Sequence, residues 1–151
     1  MQRPTVSILI PALGLAVALG CATGSSSPAA GLTPWNQARA TEIARQLSSA
    51  ADAWQLAVRR ENDEQLGSGT AEEGYRLTHE AQVVSEQARS LAGHLEAGEG
   101  REQTLDPFRS LKEVMDDAQE DQERSELDQP TIAAWAKLTG LMHQIKPYYE
   151  N

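Results

Sequence analysis

The sequence predicts an all-α fold, a four-helix up-down-up-down bundle occupying residues 34–151. Three observations carry that prediction. Four stretches place apolar residues at alternating steps of three and four, the period of one helix face rather than of a strand. Short connections rich in Gly, Pro and polar residues separate them, which favours antiparallel neighbours. Aromatic residues make up only 5% of the chain while Ala, Glu, Gln and Leu abound, and their side chains lose little rotamer freedom on a helix.

Ahead of the bundle stands a leader, residues 1–20. It begins Met-Gln-Arg and continues as an uncharged run from Pro4 to Gly20 that ends directly at Cys21. The run is shorter than the roughly 20 residues needed to cross ~30 Å of hydrocarbon, and Pro11 with two glycines weakens it as a permanent span. It therefore reads as a signal peptide. Its last residues, Ala18-Leu19-Gly20-Cys21, resemble the lipobox of bacterial lipoproteins, in which a small residue precedes a Cys that is diacylated on sulfur and becomes the new N-terminus. The resemblance covers the leader alone. Leu stands at Leu19 rather than one place earlier, and Arg3 is the one basic side chain of the positive region.

The resemblance implies lipidation at Cys21 and a cell-envelope address. Because Ala22 rather than Asp follows, it also implies the outer membrane, facing the periplasm, if the source is diderm. Two or three acyl chains at ~0.8 kcal/mol per buried CH₂ would hold the chain to its membrane effectively permanently. Cys21 is the only cysteine, so an internal disulfide, a Cys-based zinc site and a covalent CxxCH haem link are excluded.

Residues 21–33 form the linker. Ala-Thr-Gly-Ser-Ser-Ser-Pro-Ala-Ala-Gly-Leu is too polar and too rich in small residues to bury anything. Coil statistics give the stretch from Ala22 to Pro34 a reach of about 20 Å.

Helix one is expected to open with Thr33 as N-cap and Pro34 at the first helical position, where a missing N–H costs nothing. Ile43, Leu47, Ala50 or Ala51, Trp54 and Val58 form its stripe, and Gly67-Ser68-Gly69 stops it near Leu66. Such a helix would run ~50 Å, twice the ~24 Å of helix four, so a break near Arg59-Arg60-Glu61-Asn62 is expected. Helix two opens on a capping box, Thr70-Ala-Glu-Glu73, although Gly74 follows at once. Its seam is Leu77, Ala81, Val84, Ala88, Leu91 and Leu95, ending at Gly98-Glu-Gly100.

Asp106-Pro107 starts helix three, which buries Phe108, Leu111, Met115 and Ala118. The next seam positions are Gln122 and Ser125, so its second half has little hydrophobic reason to dock and is expected to be exposed or mobile. Helix four restarts at Pro130-Thr131, carries Ile132, Trp135, Leu138 or Thr139, Met142 and Ile145, and stops at Pro147.

With 22 acidic against 13 basic residues the net charge is −9, and losing the leader with Arg3 makes the remainder one unit more negative. Nucleic acid is excluded as a partner, because that affinity rests on Lys and Arg neutralising phosphates. The densest charge is Asp116, Asp117, Glu120, Asp121, Glu123, Glu126 and Asp128, relieved by Arg124. Such carboxylates can attract Ca²⁺ or Mg²⁺, but the EF-hand spacing is missing, and a solvated acidic face that aids solubility is the preferred reading. His79, His94 and His143 sit in no HExxH motif, and no Glu lies three residues before any of them, so no metal site is assigned. Trp54, Trp135, Tyr148 and Tyr149 are candidates for a pocket lining or for core.

The segment from Trp135 to Tyr149 is similar to the last helix of c′-type cytochromes. Aligned on Thr139-Gly140, His143 and Lys146 stand where that family has its two cysteines and Pro147 where it has the haem ligand. A haem-less relative is what this likeness implies, with no cofactor expected. No catalytic constellation of Ser, His, Cys and Asp at interpretable spacing is present. The functional expectation is a non-enzymatic, membrane-anchored protein that binds a protein partner or serves a structural role. The alternative is a bundle that binds a small ligand or a divalent cation.

Overall fold

The computed structural model describes residues 31–65 and 71–150. The leader, Cys21, the linker up to residue 30, the Gly67-Ser68-Gly69 stop and the Thr70 cap lie outside the described residues. Four helices follow one another, α1 (Gln37–Gln65), α2 (Ala71–Glu96), α3 (Leu105–Arg124) and α4 (Gln129–Ile145), and a 3₁₀ turn, Lys146–Tyr148, closes the chain. The architecture is the all-α four-helix bundle that the periodicity predicts. Among the described residues, no helix is long and apolar enough to cross a membrane.

Helix α1 starts three residues later than expected. Asn36, not Thr33, is its cap: the Asn36 Oδ1 accepts the Arg39 N–H at 3.0 Å, and the Asn36 carbonyl accepts the Ala40 N–H at 2.9 Å. Thr33 instead donates its N–H to the Pro147 carbonyl at 2.8 Å, which fastens the entering chain to the end of the bundle. Nor does α1 break at Arg59-Arg60-Glu61-Asn62; it is continuous to Gln65. That stretch holds neither Gly nor Pro, and Glu61 is buried, its carboxylate accepting the Asp128 N–H at 2.8 Å. The mismatch in length is met by projection. With Glu61 level with Asp128 and Arg76 level with Asp121, the last described turn of α1 and the first turn of α2 extend past the α3–α4 turn. Gly74 packs against the Asn62 side chain, whose amide end would have to move to admit a Cβ there.

The α2 seam is buried as read, from Leu77 to Leu95. Its end is a Schellman motif: Gly98, at φ +86°, gives its N–H to the Leu95 carbonyl, and Glu99 gives its N–H to the His94 carbonyl. Helix α3 begins two residues before the expected Asp106 cap, with Thr104 at the N-cap and Pro107 inside the first turn. Phe108, Leu111, Met115 and Ala118 face inward. Helix α4 is capped by Asp128, which accepts the Thr131 N–H at 2.8 Å, and Pro130 occupies its first turn. Its stripe begins on Thr131, fully buried, while Ile132 is 40% exposed.

Antiparallel registers follow from the side chains. Gln37 reaches the Leu95 carbonyl and Asp52 meets Ser85 and Arg89, so α1 runs against α2. Arg39 meets Gln144, Trp54 packs on Trp135 and Arg60 faces Asp128, so α1 also runs against α4. Helix α2 lies along α3. The fourth side of the bundle is different: the α3 and α4 backbones hardly approach within 8 Å.

Candidate functional site

The gap between α3 and α4 is a groove. It encloses about 110 Å³ and is lined by Lys112, Met115, Asp116 and Gln119 from α3 and by Trp135, Thr139, Met142 and His143 from α4, with Lys146 just beyond. Met115, Trp135 and Met142 form the inner wall, each buried to nine-tenths or more. Long side chains are what two separated backbones require, since Met and Trp bridge a distance that Ala or Val would leave empty. The rim is charged but compensated: Lys112 pairs with Asp116 at 3.3 Å and Lys146 with Glu150 at 3.4 Å. His143 is exposed on the rim and makes no hydrogen bond or ion pair with the described residues.

A second feature lies where α2 meets the second half of α3. Asp121, 5% exposed, occupies the seam position that follows Ala118. It is paired with Arg76 of α2 at 2.5 Å and with Arg124 at 3.2 Å. Glu80 of α2 hydrogen-bonds the same carboxylate; burial first, and then that hydrogen bond and the Asp121 charge, push its carboxyl up to about 7, against the opposing pull of Arg76. The second half of α3 is thus docked by charge where an apolar seam was lacking, which corrects the expectation that it stands exposed.

A third feature closes the opposite end. Phe108 stacks on Tyr149 with ring centres 4.3 Å apart, and Trp35 meets Tyr148 and Tyr149 edge-on at 6.1 and 5.6 Å. Thr104 and Tyr149 share a buried hydrogen bond of 2.8 Å. Burial raises the Tyr149 phenol above its ordinary value, although Thr104 and Arg101 pull the other way. Arg101 lies over the Trp35 ring at 5.6 Å and donates to the Thr33 carbonyl at 2.6 Å.

The residues singled out from sequence scatter among these places. His79 is exposed near one end of α2, His94 bonds Glu99 at 2.9 Å near the other, and His143 borders the groove, so the histidines do not converge. Trp54 and Tyr149 are core, Trp135 borders the groove, and Tyr148 is half-buried against Trp35. The acidic run is not one face. Asp121 is buried in the seam and Asp128 caps α4, while Asp116, Asp117, Glu120, Glu123 and Glu126 are exposed. The Thr131 hydrogen bonds hold the Asp128 carboxyl below its ordinary value. Among the described residues no three His, Cys, Asp or Glu side chains are grouped as a cation site. Cys21 lies outside the described residues. Comparison with protein-family models, curated proteins and solved structures returns no match.

Proposed function

We propose that this chain is a lipid-anchored cell-envelope protein whose bundle has a non-enzymatic binding or structural role, facing a protein partner or its own membrane. The observation that carries the reading is Ala18-Leu19-Gly20-Cys21 at the end of an uncharged leader. Acylated Cys21 is the anchor, the Ser- and Gly-rich residues after it the leash, and about 20 Å the leash's reach. The Thr33 contacts with Pro147 and Arg101 support an orientation in which the ring-closed end faces the membrane and the α3–α4 turn points away. The acidic surface disfavours nucleic acid and basic-patch binding to anionic lipid alike.

Metabolic labelling with palmitate and detergent phase partitioning test this. The wild-type chain is expected to take the label and enter the detergent phase, and Cys21→Ser to do neither. Equal partitioning of both chains, with no label on either, refutes the anchor.

The α3–α4 groove favours a second reading, a bundle that binds a small ligand or a cation. At about 110 Å³ the groove is well below the ~300 Å³ at which pockets for drug-sized molecules and cofactors begin, so its occupant would be an ion or a molecule of a few atoms. A ligand-dependent rise in melting temperature, screened with divalent ions, haem and small metabolites, would separate this reading from a purely structural role.

A further inference from the structure

We propose that the groove between α3 and α4 binds a soft monovalent cation of the Cu(I) class through the thioethers of Met115 and Met142 and the imidazole of His143, beside the indole of Trp135. This deepens the cation-binding reading above and does not depend on the lipid anchor.

The ligand types decide the class of ion. The chain has three methionines, Met1 in the leader and two others, and the fold brings both of those others to one groove from different helices. Thioether sulfur is a poor partner for Ca²⁺, Mg²⁺ or Zn²⁺ but suits Cu(I), and imidazole nitrogen completes a set that carries no charge of its own. Trp135 lines the same wall, and an indole ring stabilises a neighbouring cation through its negative face.

Size and charge agree. A groove of about 110 Å³ admits an ion with little else. His143 is available, since it is exposed and engages no described residue, whereas His94 is held by Glu99. The two lysines at the groove are each balanced by a carboxylate, Asp116 and Glu150. The chain's overall charge of −9 draws cations toward it rather than away. Met142 and His143 of α4 and Met115 of α3 line the same opening, Met142 on its inner wall and His143 on its rim. If the methionines served packing alone, leucine would replace them with no consequence for ion binding.

The experiment uses the full chain with Cys21→Ser throughout, so that sulfur at position 21 cannot compete. Ag(I), and Cu(I) buffered by a chromogenic Cu(I) chelator, are titrated while tryptophan emission is followed. The expected result is one ion per chain, with quenched emission. Met115→Leu with Met142→Leu, a volume-conserving pair, should keep the helical circular dichroism and lose at least roughly tenfold in affinity, because even the outer partners of a metal ligand are worth about 10–100-fold. His143→Gln, at an exposed position where folding is not at stake, should also weaken binding, and His79→Gln should leave it unchanged. The proposal is overturned if the parent takes no Cu(I) from the chelator, if the leucine pair and His143→Gln both bind with parental affinity, or if Zn²⁺ binds the groove as tightly as Ag(I).

Discussion

The two ends of this bundle are closed by opposite chemistries. At the end where the chain enters, Phe108, Tyr149, Trp35 and Tyr148 pack ring against ring, and the Tyr149 hydroxyl they bury is matched by Thr104. Toward the α3–α4 turn the same seam ends on carboxylates, with Asp121 between Arg76 and Arg124, Glu80 beside it with a raised pKa, and Glu61 receiving the Asp128 N–H. The difference teaches that helical spacing fixes which residues face inward but not what holds them there. Ring contacts stabilise by removing apolar area from water and are indifferent to pH, whereas the carboxyl cluster depends on a proton.

The largest expected effect breaks the ring-closed end. Phe108→Ala removes a fully buried ring stacked on Tyr149 and should cost about 3–5 kcal/mol in denaturant unfolding, with the same loss at pH 5 and pH 8. A loss below ~1 kcal/mol would mean that this end contributes little. Tyr149→Phe sharpens the contrast by keeping the ring and deleting one buried hydrogen bond, a cost of about 1 kcal/mol, since Thr104 keeps the Gly100 carbonyl as a partner.

At the charged end the effect is smaller and carries a sign. Glu80 titrates at about 7 in the folded chain against an ordinary 4.5, so the folded state holds the extra proton between those values. Stability from this group is therefore fully present below 4.5 and is lost as pH rises through about 7. Glu80→Gln should flatten that decline, by roughly 1 kcal/mol once screening at a partly exposed site is discounted, when melting temperature is compared from pH 5 to pH 8. Parallel curves for the two chains would break the comparison. The smallest change is at the α4 cap. Asp128 has a lowered pKa, so its contribution is present above 3.8 and lost as pH falls through its folded value; Asp128→Ala should lower the melting temperature slightly at pH 7 and by less as the pH is taken down into the acid range.

The apolar seams were legible in the sequence. Ile43, Leu47, Trp54 and Val58 on α1, the six residues of α2, and Phe108 to Ala118 on α3 are all buried where periodicity puts them. Helix ends were less so. Thr33, Asn36, Thr104, Asp106 and Asp128 are all plausible caps by residue type, and tertiary contacts choose among them, as when Pro147 takes the Thr33 N–H and leaves Asn36 to cap α1. Ile132 is greasier than Thr131, yet the Asp128 cap sets the phase of α4 and turns Thr131 inward.

What sequence could not supply were the long-range polar contacts. Asp121 reads as one more acid in an acidic run because Arg76 and Glu80 become its neighbours only when α2 lies along α3. The break expected near Arg59-Arg60-Glu61-Asn62 rested on helix lengths alone, and the contact that buries Glu61 there, the Asp128 N–H, is 67 residues away. The groove was equally hidden: Met115 and Met142 each read as core, and only the separation of α3 from α4 places them, with His143, along one opening.

On the proposed function, an anchor at Cys21 would make one end membrane-facing and the other outward-facing. Intact-mass and N-terminal peptide analysis of the chain purified from its native envelope tests it most directly. The account predicts a polypeptide beginning at Cys21 with diacylglycerol on sulfur. A mature chain that retains residues 1–20, or one with an unmodified thiol at Cys21, would contradict it.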